Sequence, residues 1–308
     1  MINRNLIRIR VVQLVYSWYQ GTNKDLLKAE KELLFGLQKS YDLYFYMFLL
    51  MLEITKTYDS RIESKKNKFL PTEEDKNPNI HLLNNKFILQ LEQNNRLTNY
   101  ATERPMSWVN NESFVKNLLD KIIESETYLN YTKIASPTYD EDREFWRKIF
   151  KQFIYGNEEL DDLLEDESIF WNDDIEIVQS FVLKTIKKFS EKSGPNQPLL
   201  PMFKDEEDKQ YAIKLLHDTI FNENKYRDLI KLHTDKWDFD RIALMDLVIM
   251  QTALAEIFSF DSIPISVTFN EYIEISKSYS TPKSGTFING ILNGIVQQIK
   301  KENIIFKN

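Results

Sequence analysis

Few residues in this chain have the type and spacing to do bond-making chemistry. Two carboxylate pairs, Glu141-Asp142 and Glu158-Glu159, could in principle supply a general acid and base. Pairs of acids are common at helix starts, where the backbone favours negative charge, and no further polar constellation surrounds either pair. The three histidines, His81, His217 and His233, are far apart, and cysteine is absent. These facts remove thiol nucleophiles, disulfides, Cys-ligated zinc and iron–sulfur clusters. The reading is therefore no enzyme, no cofactor and no metal. What remains is the chemistry of phosphate contact and base stacking. Arg4 and Arg8 are one helical turn apart and share a face; with Arg10 they could hold phosphates by forked hydrogen bonds. An ordinary solvated face is the competing reading. Lys277, Lys283 and Ser284 flank the start of the last helical segment, and a helix N-terminus favours phosphate. Tyr279 and Phe287 bracket that start and could stack on splayed bases, although Phe287 also suits core packing.

Composition narrows the elements that must position these groups. The 308 residues are 42% hydrophobic, enough for one large domain or two small ones. Only 7 Gly and 9 Pro are present, too few for the tight turns of a sandwich, barrel or dinucleotide fold. No stretch approaches the roughly 20 apolar residues of a membrane span, and the arginine-bearing N-terminus reads as an amphipathic helix rather than a signal peptide. A cytoplasmic location is expected. The net charge of −7 repels nucleic acid at long range, so an RNA site has to be a local basic patch.

Helical periodicity runs through the chain. Ile7, Val11, Leu14, Val15 and Trp18 form one stripe of a helix over Arg4–Tyr19. Further helices are predicted over Leu26–Gln38, Tyr41 to about Lys68, Leu83–Tyr100 and Glu112–Tyr131. Ser193-Gly194-Pro195 and Pro198–Pro201 make the clearest break. Helices follow over Glu206–Phe221, Glu223–Leu232, Phe239–Phe258, Thr268–Tyr279 and Lys283–Lys301. A gapless offset of 66 residues aligns Trp171 with Trp237, Glu141-Asp142 with Glu207-Asp208, Ile154 with Ile220, Asp162-Leu163 with Asp228-Leu229, Asp174 with Asp240 and Val182 with Val248. That register predicts a repeated three-helix unit. Gly290 and Gly294, one turn apart in a helix, are read as points of close helix packing. Asn270 and Glu271 are placed at a helix start.

The segment Trp237–Ile295 resembles the C-terminal half of the NusB family, most specifically through Asp261–Pro264, Asn270-Glu271 with Ile275, and Phe287-Ile288-Asn289-Gly290. The first helix, with Arg8, Gln13, Tyr16 and Trp18, resembles that family's arginine-rich first helix. The resemblance implies an all-α fold of helical bundles. Residues 1–40 and 195–308 form the family-like part, and 41–194 form a helical insertion that includes one copy of the repeated unit. It also implies an RNA-binding transcription antitermination factor. Such a factor takes boxA-type single-stranded RNA together with NusE, a small ribosomal subunit protein, and acts on RNA polymerase in ribosomal RNA transcription. On this reading Arg4, Arg8, Arg10, Tyr16, Lys277, Tyr279, Lys283, Ser284 and Phe287 face RNA. Trp237, Asp238, Asp240 and Asp246 form an acidic face for the basic partner. Structural stapling is the competing role for Trp237, and favourable placement at a helix N-terminus the competing role for the aspartates. Two other classes stand beside this one. A helical scaffold binding only protein explains the insertion and the three-arginine first helix equally well. RNA cytosine methyltransferases carry a similar domain, but this sequence has neither their glycine-rich cofactor loop nor a cysteine nucleophile.

Overall fold

The computed structural model describes residues 1–22, 24–234 and 239–302, which form helices and connecting turns with no β-strand among them. In chain order the α-helices are α1 (Arg4–Gln20), α2 (Leu26–Lys66), α3 (Glu73–Lys76), α4 (Lys86–Glu92), α5 (Asn95–Glu103), α6 (Glu112–Ile123), α7 (Glu126–Tyr131), α8 (Tyr139–Ile149), α9 (Glu158–Glu167) and α10 (Ile175–Lys188). They continue with α11 (Glu206–Phe221), α12 (Glu223–Leu232), α13 (Leu244–Ser259), α14 (Ile265–Tyr279) and α15 (Ser284–Lys301). The all-α class read from the sequence is the class observed.

Short polar side chains decide where many of these helices begin. Two segments expected to be single helices are each split by a cap. Asn94 accepts the Leu97 N–H at 3.0 Å and starts α5, and Ser125 accepts the Tyr128 N–H at 3.1 Å and starts α7. The opposite happens at residues 38–41, where two expected helices fuse into the 41-residue α2. Neither proline nor a cap interrupts them, and the buried Ser40 hydroxyl donates to Asp174 instead. The segment expected from Phe239 opens as a short 3-10 turn, Phe239–Arg241, and α13 itself begins only at Leu244.

The chain divides into two compact units. The first holds Met1 and residues 38–202; the second holds residues 2–37 and 203–308. The first unit is packed around Tyr44, Phe45, Phe48, Phe87, Trp108, Trp146 and Phe150, all fully buried. Trp171 belongs to this core, where its indole N–H donates to the Lys39 carbonyl at 2.8 Å. The carboxylate pairs noted in the sequence have structural employment here. Asp142 is buried and accepts from the Tyr131 hydroxyl at 2.6 Å and the Lys86 N–H at 2.7 Å, while Glu141 closes a capping box with Thr138. Glu159 meets Lys121 at 3.4 Å.

In the second unit α13 is the central rod, in contact with α1, α11, α12, α14 and α15. Every residue from Asp246 to Ile257 is buried, the pattern of a helix enclosed on all sides. Gly294 of α15 permits one close approach, since a β-carbon there would lie 2.9 Å from the His233 ring. Gly290 has no neighbour of that kind, so the close-packing reading fails at that position.

Over the segments related by the 66-residue offset, three α-helices follow one another in each, α8–α10 and α11–α13. The 66-residue offset holds at their starts to within three residues. They differ at α8, which ends in a π-helical turn, Phe150–Ile154, where α11 continues regularly.

Candidate nucleic-acid interface

Helix α1 starts where the Asn3 side chain accepts the Leu6 N–H at 2.9 Å. Its inward face carries Leu6, Ile7, Val11, Val12 and Val15, none of them exposed. Arg8 lies on that inward face and is 3% exposed. Its guanidinium makes a forked contact with Glu256 of α13, Nε to Oε2 at 2.7 Å and Nη2 to Oε1 at 3.0 Å. Nη1 lies 3.5 Å from Glu271 of α14. Glu256 is fully buried and also accepts from the Tyr211 hydroxyl of α11 and, at 2.6 Å, from the Thr268 hydroxyl of α14. One carboxylate thus ties four helices together. Burial pushes the Arg8 guanidinium downward, but the Glu256 hydrogen bond and the surrounding negative potential outweigh it and hold its pKa above the usual arginine range. Burial beside the same carboxylate pushes the Tyr211 and Tyr272 hydroxyls well above the ordinary tyrosine value.

The structure therefore corrects Arg8 as a phosphate contact, because its donors are spent inside the protein. Arg10 is 9% exposed, and its Nη1 donates to Gln13 Oε1 at 2.9 Å. Arg4 keeps 37% of its side-chain exposure while pairing with Asp208 at 3.3 Å and lying over the Tyr211 ring. Tyr16 is half-buried.

The other half of the predicted set surrounds the corner between α14 and α15. Tyr279, the last residue of α14, is half-buried, and its hydroxyl accepts from Gln13 Nε2 at 3.5 Å. That contact brings the Arg10–Gln13 side of α1 to the corner. Lys277 and Lys283 are exposed, Lys277 beside Glu274 at 2.5 Å, and Phe287 is half-buried. Arg4 stands nine residues before Gln13, about 13 Å along the helix axis, so it does not join this cluster directly.

Ser284 is a second correction. It is 2% exposed, and its hydroxyl donates to Asp246 Oδ2 at 2.9 Å rather than facing solvent. Asp246, expected on a partner-binding face, is 7% exposed and also receives the Ser280 hydroxyl at 2.5 Å. Asp240 is exposed in the 3-10 turn. Trp237 and Asp238 lie outside the described residues. Asn270 and Glu271 sit in the second turn of α14 rather than at its start, with Asn270 exposed.

Sequence reasoning missed Glu256, Tyr211 and Thr268. A signal was available for Glu256: apart from Asp246 it is the only ionisable residue in the largely apolar α13, and an acid kept in such a helix needs a buried partner. Among the described residues no group of histidines and acids could hold a metal ion, and no helix is long and apolar enough to cross a membrane.

Comparison with known proteins places these features. The model of the NusB family matches residues 173–297, which run from just before α10 through most of α15. The chain is 30% identical over 132 residues to the transcription antitermination protein NusB of Salinibacter ruber, covering 41% of this chain and 82% of that relative. It is 34% identical over 119 residues to the protein of that name from Thermodesulfovibrio yellowstonii, covering 39% and 74%. For the Chloroherpeton thalassium protein the figures are 36% over 100 residues, 32% of this chain and 47% of the relative. No solved structure matches. With most of a relative's length aligned at this identity and the family model matching across α11 to α14, the chain belongs to the NusB family.

Proposed function

We propose that the chain is a cytoplasmic, non-catalytic transcription antitermination factor. It would bind boxA-type single-stranded RNA together with NusE and act on RNA polymerase in ribosomal RNA transcription. The relatives' name supports antitermination. The Gln13–Tyr279 contact carries the RNA reading, because it joins the polar side of α1 to a corner bearing two exposed lysines and two partly exposed rings. Such a mixture of cations and aromatic faces suits single-stranded RNA. The proposed contacts are Arg4, Tyr16, Lys277, Tyr279, Lys283 and Phe287, the buried Arg10 no longer among them; Asp240 remains a candidate for the basic protein partner.

The test is a salt titration of RNA affinity in the presence of NusE. Replacing Arg4, Lys277 or Lys283 with Ala should each flatten the slope by about 0.7 if that cation meets a phosphate. Tyr279→Ala should weaken binding by about 1–3 kcal/mol with little change in slope if the ring stacks on a base. Curves that all coincide with wild type would place the RNA surface elsewhere.

The burial of Arg8 and Arg10 favours a second reading, a helical scaffold that binds protein alone. Absence of RNA affinity both with and without NusE would select it.

A further inference from the structure

We infer that Asp246 is a positioning residue for RNA, acting through the corner that carries Tyr279 and Lys283; this rests on the RNA reading above. The four residues between α14 and α15, Ser280 to Lys283, have no hydrophobic anchor of their own, and Thr281, Pro282 and Lys283 are exposed. What fixes them is a cluster of hydroxyls closed on one carboxylate. Ser280 Oγ donates to Asp246 Oδ1 at 2.5 Å and Ser284 Oγ donates to Asp246 Oδ2 at 2.9 Å. Ser284 Oγ in turn accepts the Thr281 N–H at 3.2 Å, and the Thr281 hydroxyl lies 2.9 Å from it. Asp246 and Ser284 are almost fully buried.

The carboxylate belongs to the first turn of α13, where the exposed N–H groups of a helix favour negative charge. It is held on the most enclosed helix of the unit, so the corner inherits the position of that rod. The residue before the pinned span and the last residue within it are both proposed RNA contacts. Tyr279 immediately precedes Ser280, and Lys283 immediately precedes Ser284. Releasing the corner would let ring and ammonium wander independently, and ordering them would then be charged against binding.

The sign of the effect separates this role from simple electrostatics. A carboxylate that only adds negative potential near phosphate weakens binding, so removing it would tighten the complex. A positioning carboxylate does the reverse. The experiment measures the affinity of a boxA-type single-stranded RNA in the presence of NusE. The set is wild type, Asp246→Ala, Asp246→Asn, Ser280→Ala, Ser284→Ala, Tyr279→Ala and the Asp246→Ala/Tyr279→Ala double variant. Asp246→Ala is expected to weaken binding about fivefold or more, equivalent to roughly 1 kcal/mol. Asp246→Asn, which keeps one carbonyl acceptor, should recover part of that, and each serine variant should fall between. The double variant should lose less relative to Tyr279→Ala than Asp246→Ala loses relative to wild type, because one of the two groups through which Asp246 acts is already gone.

Amide exchange provides an arm independent of RNA. The amides of 280–287 should exchange faster in Asp246→Ala, while those around Arg8 and Glu256 keep their protection, which also shows that the variant folds. Affinity in Asp246→Ala equal to or tighter than wild type, or unchanged exchange at the corner, overturns the inference while leaving the RNA reading standing. A folded wild type with no RNA affinity overturns both.

Discussion

Arg8 and Glu256 meet inside the second unit with both partners nearly or fully out of water. Desolvation makes such a pair a small net gain at best, but removing one member leaves the other charged and alone. Glu256→Gln should therefore lower unfolding free energy by about 3–5 kcal/mol, read from denaturant titration. Replacing both with apolar residues of similar volume should restore much of that loss. Arg8→Met should reduce stability similarly yet leave the salt slope of RNA binding unchanged, the opposite signature from Lys283→Ala. The placement of Arg8 was partly legible: Val11, Val12 and Val15, at helical spacing from it, already mark the inward face. Its pairing with Arg4 at the same spacing suggested an outer face instead, and position alone could not decide between the two. The partner decides, and Glu256 is 248 residues away.

Among the elements, α15 offers a controlled comparison, because Gly290 and Gly294 share one helix and differ in what surrounds them. Gly290→Ala should raise stability by up to about 1 kcal/mol through helix propensity alone. Gly294→Ala should lower the melting temperature, since its methyl group would press on the His233 ring. The sequence showed two identical residues one turn apart and could not reveal that a ring touches only one of them.

Helix α9 makes a different point. Seven of its ten residues are acidic, and burial, reinforced by the Asp162 charge, raises the Asp161 carboxyl above the usual aspartate value. A raised acid helps the folded state most below the unfolded pKa, and the help is lost as pH rises through the folded value. Asp161→Asn should accordingly stabilise the protein at neutral pH. The advantage over wild type should disappear near pH ~4, around the ordinary aspartate value; melting curves at both pH values check it. Helix interiors were read well from periodicity, whereas breaks at Asn94 and Ser125 depend on single cap bonds, which periodicity does not encode.

At the scale of the whole molecule, two cores predict two events. Chemical denaturation should show separable transitions, and Trp146→Ala, which opens a hole in the first unit, should shift one and leave the other near its place. The sequence showed where the chain leaves the first unit, at the Gly- and Pro-bearing stretch from Ser193 to Pro201. It did not show the entry, which falls between Leu37 and Gln38 inside the unbroken α2, where no turn residue marks it. The division also redistributes the electrostatics. Residues 2–37 and 203–308 contain 19 Lys and Arg against 19 Asp and Glu, so the second unit is neutral. The whole deficit of −7 belongs to the other unit, and α9 alone, with seven acids and no base, equals it. Bulk titration sums every charge, so it weighs α9 heavily. An ion or phosphate approaching the α14–α15 corner samples only what lies within a screening length of about 8 Å at physiological salt. The net charge sums both units and does not by itself give the potential at that corner.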